Sequence, residues 1–163
     1  MISIQKANTK DAAEIKRLLK ESWMSAYSCI YSPEEIDIVT SIWHKIELLK
    51  KQINNPNILF LVAKENRKLI AICNVEFVAK NKSIYIQKLY VAPIYKRQGI
   101  GSKLMNKVIG TFPDATKITL EVETENHNGQ AFYRKHGFKA VGKKQFQVKN
   151  VLMDCLVMEK QLA

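Results

Sequence analysis

Leu89-Tyr90-Val91-Ala92-Pro93-Ile94-Tyr95-Lys96-Arg97-Gln98-Gly99-Ile100-Gly101-Ser102 joins a strand-like apolar run to a helix through a basic loop that carries Gly99 and Gly101. Such a junction is a ready anion site. The first turn of a helix has backbone N–H groups without partners and a positive dipole end, and the glycines let an anion approach with no Cβ in the way. Lys96 and Arg97 add charge. By itself a Gly-x-Gly is most often an ordinary turn with solvated basic neighbours, so the surroundings have to decide. Two common nucleotide motifs are excluded: Gly-Lys-Ser/Thr occurs nowhere, and the third glycine of a dinucleotide fingerprint would fall on Leu104.

Before the loop, residues 1 to 7 alternate as a short strand, and Asn8, Thr9 and Asp11 offer oxygens to cap a helix reaching about Ala26. Its apolar positions Ile15, Leu18, Leu19, Trp23 and Ala26 share one face. Ser32-Pro33-Glu34-Glu35 is a capping-box signature, and the spacing of Ile36, Val39, Ile42, Trp43, Ile46 and Leu49 predicts one second helix from about Glu34 to Gln52. The segments ILFLVAKE, KLIAICNVEFVAK and SIYIQKLYVA, separated by polar turns, predict three antiparallel strands. After the loop, helical spacing returns over 100 to 112. Ile118, Leu120 and Val122 then alternate as a strand, a helix runs from about Asn126 to His136, and two strands close the chain. The order is β-α-α-β-β-β-α-β-α-β-β: an α/β (α+β) fold with a mixed, mostly antiparallel sheet flanked by helices.

The chain has 163 residues, 47% hydrophobic and 25% charged, enough for a real core in a single domain over 1–163. Lysine and arginine outnumber acidic residues 26 to 15, a net charge of +11 that favours polyanionic partners. Cys29, Cys73 and Cys155 lie far apart, against a disulfide framework or a zinc ribbon and for a reducing, cytoplasmic setting. A charged amino terminus and the lack of a run of ~20 apolar residues argue against a signal peptide or a membrane span.

A second constellation is Asn126-His127-Asn128-Gly129-Gln130-Ala131-Phe132-Tyr133-Arg134-Lys135-His136-Gly137-Phe138. Asn126 and Tyr133 are two helical turns apart and point to one side. Phe132 and Phe138 read as core, and Tyr133 alone would too. The two stretches together resemble the GNAT superfamily of acetyl-coenzyme A-dependent N-acetyltransferases. The pyrophosphate pattern Arg/Gln-x-x-Gly-x-Gly/Ala is met by Lys96-Arg97-Gln98-Gly99-Ile100-Gly101, with lysine in the first place, and the later signature is met with Gly129 where alanine is commoner.

The resemblance implies a direct transfer of acetyl from acetyl-coenzyme A to a primary amine on a small molecule, a polyamine or a protein. No metal and no membrane partner are expected, with a monomer or homodimer. Backbone groups of Leu89, Tyr90 and Val91, the loop residues Lys96, Arg97, Gln98, Gly99, Gly101 and Ser102, and Asn126 would bind the cofactor. Tyr133 would be the general acid. Phenol titrates near ~10 and a thiol near ~8.5, so proton donation to a departing thiolate is reasonable. The base stays open among Glu76, Glu121, Glu123 and a water relay. Alternation along the strand expects Glu121 and Glu123 in solvent. Gln87 cannot act as a base. His44 is expected within the second helix, His127 at the start of the fourth, and His136 near a helix end, where its charge complements the dipole. Glu34, Glu35 and Asp37 are candidate acids for an acceptor cleft. A competing function is a catalytically idle scaffold binding nucleic acid or another acidic partner. The +11 charge permits it, but no helix-turn-helix, zinc or RNP signature supports it.

Overall fold

Asn8 caps the chain's first helical turn with its side chain, which accepts from Lys10 N at 2.9 Å, while Asp11 accepts from Asn8 N at 2.9 Å. The computed structural model describes residues 1–162. Strand β1 (Ile2–Lys6) and a 3-10 turn lead into α1 (Ala12–Tyr27), α2 (Pro33–Trp43) and α3 (Ile46–Asn54). Then come β2 (Ile58–Glu65), β3 (Lys68–Val78), β4 (Ser83–Val91), α4 (Ile100–Thr111), β5 (Lys117–Glu123), α5 (His127–Lys135), β6 (Lys139–Val148) and β7 (Val151–Gln161). The strands form one seven-stranded sheet in the order β1-β2-β3-β4-β5-β7-β6. Among the described residues only β4 and β5 pair in parallel, and the other pairings are antiparallel.

Each sheet face is covered by helices. Ile100, Leu104, Met105 and Val108 of α4, with Tyr133 and Phe138, pack on Cys73, Val75, Ile84, Ile118 and Leu120. On the other face, Ile15, Leu18 and Leu19 of α1 and Leu49 of α3 cover Phe60, Val62, Leu69 and Ile72. Burying such a side chain stabilises the fold by ~1.5–3 kcal/mol each, and this holds α1 and α3 on β2 and β3.

The single second helix expected from the apolar spacing is two helices, α2 and α3, parted at His44 and Lys45. Ser32 caps α2, accepting from Glu35 N at 3.1 Å, and Pro33 occupies the first turn. At Lys45 the backbone is extended, with φ −60° and ψ 140°. The break divides one apolar pattern between two targets. Ile36 and Val39 face Trp23, Val151 and Met153, whereas Leu49 faces β2 and β3. A three-to-four spacing reads the same across a break of this kind, so periodicity could not reveal it.

His44 therefore lies at the end of α2, only 2% exposed, and its Nδ1 has no partner among the described residues. Burial first, then Lys88 and Lys16, lower its pKa to about 3. The unfolded chain binds this proton below the ordinary value of ~6.5 and the folded chain does not. Stability is accordingly lost as pH falls from about 6.5 toward 3. Thermal midpoints of the wild type and His44→Gln at pH 7 and pH 4.5 check this: the variant should show the smaller acid-induced fall. Equal falls would remove His44 from the pH response.

Candidate active site

Strand β4 is bonded to β5 only through Ser83, Ile84 and Tyr85, while β5 pairs with β7 along its whole length. The cause lies on the other edge of β4. Its register with β3 slips between the pairs Asn74↔Lys88 and Val75↔Ile86, leaving Gln87 as a bulge. A bulge bends and twists its strand, so β4 leaves β5 from Ile86 onward. Ala92 N donates to Ile70 O on β3 at 2.8 Å. Alternation then turns the Leu89 and Val91 amides to the open edge and the Tyr90 amide toward β3. Tyr90 contributes its side chain instead of a free amide. Its hydroxyl accepts from Trp23 Nε1 at 3.1 Å.

The open edge ends in the basic loop. Arg97 and Gly99 both have left-handed backbones, φ 64° and 78°, a pattern that turns successive amides into one concavity. Gly99 caps α4 without any side-chain bond to its first amides, so those donors face the loop. Lys96, Arg97 and Gln98 are exposed around them. These unpaired donors and cations fit a pyrophosphate. A Cβ on Gly99 would touch nothing within 4 Å, so its requirement is the positive φ. At Gly101 the added atom would stand 3.1 Å from the Phe132 ring. Ser102 Oγ lies 2.9 Å from His136 Nε2. Burial first, then Lys160 and Lys135, lower the pKa of His136, so it holds Ser102 as a neutral ring instead of complementing the dipole.

Asn126 caps α5 as expected, its Oδ1 accepting from Gly129 N at 2.9 Å. Its Nδ2 donates to the Tyr27 hydroxyl at 3.3 Å and keeps a second proton for another acceptor. Gly129 permits this pose, because a Cβ there would stand 2.7 Å from Nδ2. Tyr133 is 9% exposed, and its hydroxyl forms no hydrogen bond among the described residues. Burial raises its pKa well above the ordinary phenol value, aided by Cys73 and Tyr90, so the proton stays on oxygen. Burial likewise raises Tyr27, with contributions from Tyr90, Tyr133 and Glu123. The phenols of Tyr27, Tyr90 and Tyr133 thus gather where β4 leaves β5.

The strand carboxylates are not solvent-facing. Glu123 is 7% exposed and accepts from Tyr31 Oη at 2.5 Å, from Thr124 Oγ1 at 3.1 Å and from Glu125 N at 3.2 Å. Glu121 accepts from the Tyr85 hydroxyl and pairs with Lys144 at 3.5 Å. The covering comes from α1, the α1–α2 segment and the β6–β7 hairpin, which strand alternation alone cannot anticipate. Glu76 is half-buried, opposite Tyr85. Asp37 is spent on an exposed pair with Lys20 at 2.9 Å, Glu34 is exposed and Glu35 half-buried in the first turn of α2. Sequence reasoning placed Tyr31 in the acceptor region and gave Tyr27 no chemical role. The available signal was the four-residue step from Trp23 to Tyr27, which brings their rings together at a tilt of 56° with centroids 4.6 Å apart. Among the described residues there is no group of three or more His, Cys, Asp or Glu suited to a metal, and no helix long and apolar enough to cross a membrane.

Residues 14–138 match the acetyltransferase (GNAT) family. The chain belongs to this family. It is 30% identical over 144 residues to the spermidine N(1)-acetyltransferase of Thermoplasma acidophilum, spanning 85% of this chain and 88% of that protein. The crystal structure of the PaiA N-acetyltransferase from Thermoplasma acidophilum in complex with coenzyme A superposes with a TM-score of 0.89 at 27% identity over 99% of both chains. The ribosomal-protein-S18-alanine N-acetyltransferase from Escherichia coli shares the fold, with a TM-score of 0.75 at 17% identity, over 100% of this chain and 95% of that one. The protein is an acetyl-coenzyme A-dependent acyltransferase.

Proposed function

We propose that the protein passes acetyl directly to a primary amine at the opening between β4 and β5, with Tyr133 as the general acid. The observation that carries this reading is the junction of an unpaired strand edge, a glycine-bearing anion loop and a buried phenol without a hydrogen-bond partner. Acetyl-coenzyme A supplies the acyl group as an activated thioester. The loop from Lys96 to Ser102 would hold its pyrophosphate, and Asn126 together with the Leu89 and Val91 amides its pantetheine arm and acetyl oxygen. Fixed N–H donors aimed at a developing oxyanion are worth ~2.7–4 kcal/mol each in acyl transfer. Tyr133 keeps its proton on Oη until the sulfur requires it. Glu123, which is buried, accepts from the Tyr31 hydroxyl and bears on Tyr27, is our choice to receive the proton of the amine, directly or through Tyr31.

Tyr31 ties the acceptor side to that carboxylate. Tyr31→Phe should raise the KM for the amine about tenfold, the worth of one charge-assisted hydrogen bond, and leave the Kd for acetyl-coenzyme A unchanged. Equal losses for both ligands would make Tyr31 a stability residue. The resemblance to a spermidine acetyltransferase supports an amine carried on a small molecule. The test is release of free thiol from acetyl-coenzyme A with and without a panel of amines. Release that depends on an amine is expected; release unaffected by every amine would overturn the reading.

A further inference from the structure

Between α2, α3 and β4 lies a cavity of about 210 Å³ whose polar wall is made of His44, Gln52, Gln87 and Lys88. Trp43, Leu48 and Tyr90 form its remaining sides. Lys88 Nζ donates to Gln52 Oε1 at 3.3 Å, and no carboxylate pairs with it among the described residues. The amide oxygens of the wall are already engaged. Asn74 Nδ2 donates to Gln52 Oε1 at 3.4 Å and to Gln87 Oε1 at 3.2 Å. That leaves the Nε2 groups of both glutamines as donors without partners among the described residues. The His44 ring, 2% exposed, adds an unpartnered Nδ1. The cavity therefore presents an ammonium and amide donors, with no acid to balance them.

Lys88 is half-buried, and a cation partly withdrawn from water without a counter-ion carries a cost that pairing would offset. Burial alone lowers the pKa of Lys88 to about 8, as expected for a cation that lacks its partner. The cavity also adjoins the proposed transfer site. Tyr90 lines it, and its hydroxyl accepts from Trp23 Nε1, whose ring packs against that of Tyr27.

We propose that this cavity is an acceptor subsite for a carboxylate, held by Lys88 and the glutamine amides, so that the acetylated amine belongs to a molecule with amine and carboxylate at opposite ends. The stem between them would lie along Trp43 and Tyr90. A polyamine would place a second cation against Lys88 and is disfavoured in this cavity. The inference rests on the acetyl-transfer reading above and names its substrate class.

Two measurements on the full chain test it. The first compares kcat/KM for ω-aminocarboxylates of four to eight carbons, the alkylamines of equal length and the corresponding diamines. The aminocarboxylate of the best length should exceed its alkylamine by about tenfold or more, the worth of one charge-assisted pair, with the diamine poorest. Lys88→Met should bring the ratio of aminocarboxylate to alkylamine close to one. The second needs no turnover: hexanoate titrated against tryptophan fluorescence should bind the wild type at least tenfold more tightly than Lys88→Met. Lys88→Gln gives the same comparison if the methionine variant fails to fold. A wild-type preference for diamines, a ratio near one, or hexanoate binding indifferent to Lys88 would overturn the proposal. Thiol release absent with every amine, while hexanoate still binds through Lys88, would overturn the acetyl-transfer reading and keep the anion site.

Discussion

Tyr133→Phe is expected to lower the turnover number by about 10²–10⁴-fold where chemistry limits the rate, and to leave acetyl-coenzyme A affinity nearly unchanged. The substitution keeps the ring that packs against Phe132 and Phe138 and deletes only the hydroxyl. Because that hydroxyl has no hydrogen-bond partner among the described residues, its removal leaves no group unsatisfied and should not lower the thermal midpoint. Activity and stability are thereby separated. A cofactor analogue whose leaving thiol has a lower pKa should suffer less from the change, since its departure needs less help from an acid. A fall smaller than about threefold would withdraw Tyr133 from the chemistry.

The second large effect is expected at Gly101. Gly101→Leu must displace the Phe132 ring, which already lies within 3.2 Å of where a Cβ would stand. Overpacking of this kind costs ~1–3 kcal/mol. Here it pushes α4 from α5 and disturbs the amides at the start of α4, so the Kd for acetyl-coenzyme A should rise on the order of tenfold to a hundredfold. Equilibrium binding of acetyl-coenzyme A to the wild type and the variant checks this, with an unchanged Kd counting against the loop. Gly99→Ala probes a different cause, the left-handed backbone, and its cost should appear as lost stability of ~1–2 kcal/mol.

Much of this was legible in the residues. Alternation and turn chemistry located all seven strands, and the capping residues Asn8, Ser32 and Asn126 stand where their oxygens meet free amides. The junction from Leu89 to Ser102 read as a strand, a glycine-bearing basic loop and a helix start because glycine and a helix start leave a local mark, and the structure has that order. What escaped was set by tertiary contacts. The break at His44 follows from two separate packing targets, and the burial of Glu121 and Glu123 follows from elements far away in sequence. The bulge at Gln87, which opens β4 from β5, leaves no mark in a strand that reads as continuous. The gathering of Tyr27, Tyr90 and Tyr133 joins segments far apart in sequence, as the Asn126–Tyr27 bond, 99 residues apart, illustrates.

The central claim is that the opening between β4 and β5 binds acetyl-coenzyme A in the folded state. Thermal unfolding with and without the cofactor tests it most directly. At a hundredfold excess over Kd, a ligand that binds only the native state stabilises by ~2.7 kcal/mol. For a chain of this size each kcal/mol moves the midpoint by about 2–4 °C, so a rise of roughly 5–10 °C is expected. The same concentration of cofactor should move Gly101→Leu much less. A wild-type midpoint that does not change at saturating acetyl-coenzyme A would contradict the account.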